Sequence, residues 1–191
     1  MQGEREAARR GEGHGDLVSE ALRDEGFMAH RLARIASSSR YVVNLLKRAP
    51  HHIHMLAGND ELRPRAAEEL TEAMTRAASR QDDLDKAIAS VRALRRAELC
   101  RIALSDVLGD ADLATVEVAL SDLASATMDA GLVLARRRVD APEIGVIAVG
   151  RWGGREMSYS SDADCMFVVP DGVEGEDLTR ATALVRHLSD I

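Results

Sequence analysis

The chain has 191 residues, enough for one ordinary domain or a domain and a half. Hydrophobic residues make up 46% and aromatics only 3%, which excludes wholesale disorder and points to a core of Leu, Ala, Val, Ile and Met, the composition of packed helices. Lys plus Arg is 25 against 32 for Asp plus Glu, a net charge of −7, so no broad basic field is present to bind nucleic acid, although a single nucleotide needs only a local site.

Met1 to Asp16 is charged and Gly-rich, without the apolar stretch of a secretory leader, and reads as a flexible lead-in. From Leu17 to Val139 the pattern is helical almost throughout. A first helix is expected over 27–36 and a second from Ser38 to Ala49, stopped by Pro50. A short segment with Ile53, Met55 and Leu56 ends at Gly58. The next helix opens over Asp60–Pro64, with Pro64 in the first turn and Leu70 and Met74 inward. A long helix follows from Asp82 or Asp83 to Gly109, with Leu84, Ile88, Val91 and Leu94 as its stripe. The clearest helix starts after Asp112, a side chain able to cap the first turn. Leu113, Val116, Leu120, Leu123, Thr127, Ala130 and Leu134 recur three and four apart, which places them on one face. No apolar run approaches the roughly 20 residues of a membrane span, and no membrane partner is expected. Cys100 and Cys165 form no disulfide framework, in keeping with a reducing, cytoplasmic setting.

The pattern changes at Asp140-Ala141-Pro142. Ile144–Val149 and Ala163–Val169 are short apolar runs rich in β-branched residues and read as buried strands. Pro170-Asp171-Gly172 turns the chain into a helix over Glu174–Ser189, with Leu178, Ala181, Leu184, Val185 and Leu188 inward. The expected fold is mostly α: a helical domain over 17–139, followed by the opening of an α/β domain over 140–191.

Between the two strands lie residues 150–164, Gly-Arg-Trp-Gly-Gly-Arg-Glu-Met-Ser-Tyr-Ser-Ser-Asp-Ala-Asp. Gly153 and Gly154 allow backbone N–H groups to approach a phosphate without a Cβ in the way, and a short helix is expected after them. Ser160 and Ser161 can donate to phosphate oxygens. Asp162 and Asp164 are two apart at a strand start, so both carboxylates point to one side, the hard oxygen pair that Mg²⁺ takes when it also holds a nucleotide's phosphates. A lone Gly-Gly is more often a turn, and a lone Asp-x-Asp a solvated strand end or helix cap. The order of strand, Gly-Gly, spacer and Asp-x-Asp entering a second strand is what resembles the active site of polymerase-β-like nucleotidyltransferases.

The longer string is more specific. Gly150, Arg151, Gly153, Gly154, Glu156, Tyr159, Ser161, Asp162 and Asp164 fit the pattern Gly-Lys/Arg-x-Gly-Gly-x-Glu-x-x-Tyr-x-Ser-Asp-x-Asp. In these residues the chain resembles the glutamine synthetase adenylyltransferase/adenylyl-removing family. The stretches Ser39–Pro50, Glu61–Arg65 and Ala93–Ile102 are similar to the helical section before that family's second, adenylylating catalytic domain.

The resemblance implies transfer of AMP from ATP to a tyrosine of glutamine synthetase, with phosphorolytic removal by the sister half and regulation by a PII-type signal protein. It implies that Asp162 and Asp164 bind Mg²⁺ and carry the catalysis, that Gly153, Gly154 and Ser161 line the triphosphate, and that Arg151 reaches a phosphate, unless it is simply a surface residue. Glu156 and Tyr159 are expected to be structural, and Trp152 to pack. The fold takes a third carboxylate from a later strand, so residues 1–191 alone are expected to be inactive. The competing expectations are a non-catalytic helical interaction module bearing a nucleotidyltransferase remnant, and a different protein nucleotidyltransferase. His51, His52 and His54 read as a solvated turn, Arg92, Arg95 and Arg96 as a solvated face paired with acids such as Glu98, and Cys165 as a small core residue.

Overall fold

The computed structural model describes residues 26–189, so the lead-in expected over 1–16 and the start of the helical pattern at Leu17 lie outside the described residues. Two compact units divide between Leu62 and Arg63.

In the first unit, helix α1 covers 26–38 and α2 covers Arg40–Arg48, followed by 3₁₀ segments Pro50–Ala57 and Asp60–Leu62. Ser39 separates the helices and caps the second, its hydroxyl accepting from Val42 N at 3.3 Å. Ile35, Val42, Met55, Leu56 and Leu62 are buried. Arg31 is buried too. Its guanidinium lies over the Phe27 ring and donates to Leu56 O and Gly58 O, both at 3.2 Å, and to the Asn59 side chain. It satisfies carbonyls that a helix end leaves without intrahelical partners. The turn after Pro50 is not simply solvated: it winds into a 3₁₀ helix that buries His52 between exposed His51 and His54.

The second unit is built on three helices, α3 (Ala67–Ser79), α4 (Leu84–Leu108) and α5 (Leu113–Arg136). Helix α3 starts later than the sequence suggests, because Arg63–Ala66 stays extended. Pro64 disfavours the helical conformation at Arg63, and the extended segment delivers Arg65 to Glu98. That acid does not belong to a solvated face. It is buried on α4, with Arg65 Nη1 3.2 Å from Oε1 and Arg101 Nε 3.3 Å from Oε2. Asp83 caps α4 by accepting from Lys86 N at 2.9 Å, and Gly109, at φ 73°, closes it in the left-handed region.

Helix α5 is the spine. Val116, Leu120, Leu123, Ala126, Ala130 and Leu134 meet Leu70, Met74, Ala87, Val91 and Ile102 in one core. Leu113, expected on that face, is 72% exposed, because the first turn of α5 lies outside the packed length. With 24 residues and a mean hydropathy of 1.4 over its most apolar window, α5 is long and apolar enough to cross a membrane, contrary to the sequence reading, and half of that window is buried in the bundle core. At its end Arg137 reaches back to Ala78 O at 3.2 Å and to Asp82 O, tying α5 to the C-terminus of α3. Arg136 holds the next segment through Ala141 O at 3.0 Å and Pro142 O at 3.3 Å.

Strands β1 (Gly145–Ala148) and β2 (Cys165–Val168) pair antiparallel, with Val146 opposite Phe167 and Ala148 opposite Cys165. They are not the fully buried strands expected. Val146, Ala148 and Cys165 pack on the helical core, while Ile147, Met166 and Val168 are 46%, 53% and 42% exposed. Period-two alternation leaves one row of this sheet facing water. A one-turn helix α6 (Gly150–Gly153) follows β1, and α7 (Gly175–Ser189) follows β2. Helix α7 buries Ala181 and Leu184, but Leu178, in its first turn, is 45% exposed rather than inward. Its approach to α5 is close: a Cβ at Gly131 would stand 2.6 Å from Leu188 Cδ1. Helices dominate the described residues, and the fold is mostly α.

Candidate functional site

The segment from Val149 to Asp164 joins the two strands. Val149 N donates to Asp164 O at 2.9 Å, extending the β ladder by one step and bringing the segment's two ends together. Gly150, at φ 58°, makes the turn into α6 in a conformation that costs other residues most. A Cβ there would lie 3.4 Å from Asp164 Oδ2, so that carboxylate sits directly over the turn.

The two glycines serve this turn. Gly153 belongs to α6 and Gly154 caps it, so the short helix includes the pair rather than following it. Their N–H groups donate to Val149 O at 3.1 Å and Gly150 O at 3.0 Å. A Cβ at Gly153 would meet Ala148 O at 2.5 Å, and that close backbone approach accounts for the glycine. Arg151 is exposed on α6, and its carbonyl accepts from Glu156 N at 2.8 Å.

Beyond α6 the segment is latched onto the bundle. Trp152 is buried and donates from Nε1 to Ser125 Oγ at 3.0 Å. Arg155, at φ 59°, places its guanidinium 2.7 Å from Asp122 Oδ1. Burial raises the Asp122 carboxyl, the Arg155 charge pulls it back down, and Glu68 adds to the rise. Met157 is buried, with its N–H 3.4 Å from Ser121 Oγ. Tyr159 donates its hydroxyl to Asp106 Oδ2 on α4 at 2.9 Å, the structural duty expected of it. Arg155, Met157, Ser121, Asp122, Ser125 and Asp106 are partners that motif reading missed. One sign of them is in the sequence: Ser121, Asp122 and Ser125 fall within five residues of one another, a small polar patch on a mostly apolar helix.

Ser158 and Ser161 then close a tight turn. Ser158 N donates to Ser161 Oγ at 2.9 Å, Ser161 N donates to Ser158 O at 3.1 Å, and the hydroxyls are 3.0 Å apart. Ser160 is exposed at its tip. Asp162 and Asp164 come out of this turn just ahead of β2 and are both exposed. Asp164 continues the alternation of β2 in phase with exposed Met166. Among the described residues no hydrogen bond or ion pair claims either carboxylate, and no group of three or more His, Cys, Asp or Glu could hold a metal. Two exposed carboxylates are oxygen donors of the chemical type that Mg²⁺ takes.

Comparison with known proteins bears on the whole of this arrangement. The family model described as glutamate-ammonia ligase adenylyltransferase matches residues 29–187. A bifunctional glutamine synthetase adenylyltransferase/adenylyl-removing enzyme from Cutibacterium acnes is 46% identical over 170 residues, covering 88% of this chain and 17% of that protein. Enzymes of the same name from Leifsonia xyli subsp. xyli and Mycolicibacterium smegmatis are 38% and 43% identical, covering 88% and 77% of this chain. The chain thus spans 16–17% of the length of these curated relatives. With a family match that takes in both the helical bundle and the hairpin with its acidic pair, the chain belongs to the glutamate-ammonia ligase adenylyltransferase family.

Proposed function

We propose that this chain is the helical section and the catalytic opening of an enzyme that transfers AMP from ATP to a tyrosine of glutamine synthetase. The observation that carries the reading is the exposed, unclaimed pair Asp162 and Asp164 at the mouth of a hairpin whose turn is shaped by Gly150 and Gly153. In this reading both carboxylates hold Mg²⁺. Bound there, the ion would neutralise phosphate charge and polarise the bond to the leaving pyrophosphate. Ser161, at the same turn, can direct its hydroxyl proton at a phosphate oxygen when the Ser158 hydroxyl is the donor in their 3.0 Å contact, and Arg151 offers a charge-assisted donor from α6. Gly153 and Gly154 contribute by keeping the backbone low beneath the phosphates, since their own N–H groups are spent within the turn.

The same reading extends to a cytoplasmic setting, supported by two free thiols, Cys100 and Cys165, and to control by a PII-type signal protein. It also takes the 191-residue chain by itself to be inactive, since among the described residues no third ligating side chain joins the two acids.

The test is transfer of label from α-³²P-ATP to glutamine synthetase by a polypeptide of the relatives' length that contains this sequence. Asp162→Asn and Asp164→Asn should each lower the rate by at least ~100-fold. Retention of full transfer in either variant sinks the assignment. AMP transfer by residues 1–191 alone sinks the claim that they are inactive.

A further inference from the structure

The acidic pair has two supports of different kinds. Asp164 is fixed through the backbone, by the bond from Val149 N to its carbonyl. Asp162 has no such bond. It hangs between that ladder step and the Ser158–Ser161 turn, and the residue inside the turn that reaches the bundle is Tyr159, three positions before it. Tyr159 bridges 53 residues of sequence to Asp106 Oδ2 at 2.9 Å, with its ring at the surface, 36% exposed. Asp106 is itself out of place by local rules. It lies in the last turn of α4, where the helix dipole disfavours a carboxylate. A residue that breaks a local preference points to a partner elsewhere, and here that partner is the Tyr159 hydroxyl.

We propose that Tyr159 is a positioning residue: its hydroxyl bond to Asp106 ties the segment bearing Asp162 to α4, and the affinity of the acidic pair for a divalent cation depends on that tie. The tie acts at a distance, since neither Tyr159 nor Asp106 touches the cation. This inference rests on the metal-binding reading of Asp162 and Asp164.

The experiment is a Mn²⁺ titration of the full 191-residue chain, followed by paramagnetic broadening of the backbone amide signals of Ser161 to Cys165, with a melting curve for each variant. Tyr159→Phe keeps the ring and deletes the hydroxyl. It should raise the half-broadening concentration at least about threefold, short of the tenfold or more that loss of a direct ligand partner costs, with an almost unchanged melting temperature. Asp106→Asn should weaken binding similarly, and the double variant should be no worse than either single one, as for two ends of one bond. A purely structural role would lower the melting temperature and leave the titration of the folded chain where it was. Wild-type affinity in Tyr159→Phe, beside loss in Asp162→Asn, overturns the positioning role and leaves the metal pair standing, as does full additivity in the double variant. Equal titrations of wild type and Asp162→Asn overturn both.

Discussion

Gly150 and Asp164 face each other at the mouth of the hairpin, with the Asp164 Oδ2 atom 3.4 Å from where a Gly150 Cβ would stand. The glycine is held at φ 58°. Gly150→Ala should therefore cost about 1–2 kcal/mol in urea unfolding, the usual penalty for an L side chain in the left-handed region. Gly150→Asn should cost less, because Asn tolerates that conformation. Equal stability of wild type and the Ala variant would mean that this turn is not formed as described.

Gly153 and Gly154 should behave differently from each other. At Gly153 a methyl would meet the Ala148 carbonyl oxygen at 2.5 Å, and backbone cannot swing aside. Gly154 sits at φ −78°, with 3.4 Å to Gly150 O. Gly153→Ala should lower stability by about 2 kcal/mol or more, whereas Gly154→Ala should stay within ~1 kcal/mol of wild type. Melting curves of the two variants side by side check the ranking, and a reversed order would contradict the turn geometry.

Glu98 is the buried hinge of a charge triad whose arginines keep some contact with water, Arg65 with 30% and Arg101 with 12% of the side chain exposed. Glu98→Ala should cost about 2–3 kcal/mol, less than a fully enclosed pair because the stranded arginines can turn outward. Arg65→Ala should cost less than Glu98→Ala, since Arg101 remains beside the acid. Chemical denaturation of both variants settles the order, which reverses if Arg65 rather than Glu98 is the keystone.

How much of this was legible beforehand depended on how local each determinant was. Asp83, Asp112 and Gly109 are readable as helix ends because a cap is made by one residue and its immediate neighbours. The start of α3 is less legible, since Arg63–Ala66 is kept out of the helix both by Pro64, acting on Arg63, and by the ion pair of Arg65 with Glu98, more than thirty residues away on α4. The apolar runs of the two strands were read as burial on both faces, and only the pairing shows that one row faces water. The site followed the same rule. The Asp162 and Asp164 motif was visible as a string, but Trp152–Ser125, Arg155–Asp122 and Tyr159–Asp106 join residues 27 to 53 apart. No periodicity encodes such pairs.

Burial pushes the Cys100 thiol up to about 11, against 9.0 for an ordinary thiol, with the Arg101 charge opposing the rise. Since the folded value lies above the unfolded one, the unfolded chain releases its proton first on raising the pH. Stability is whole below about pH 9 and falls between about 9 and 11, with a slope of at most one proton from this group. Cys100→Ala should flatten that part of the profile in urea titrations at successive pH values. A wild-type profile with the same slope as the variant would refute the assignment. At pH 8 the thiol should also resist disulfide reagents in the folded chain, since only about one part in a thousand is thiolate.

Ser121, Asp122 and Ser125 each receive a latch from the segment between the strands, and they span little more than one turn of α5, roughly 6 Å along its axis. Three fastenings over so short a length make a pivot rather than a rail. A rotation of α5 about its own axis would carry Trp152, Arg155 and Met157 with it, whereas Tyr159, bound to Asp106 on α4, would hold back the part of the segment nearer the carboxylates. The posture of the segment is thereby set by how α5 and α4 turn against each other.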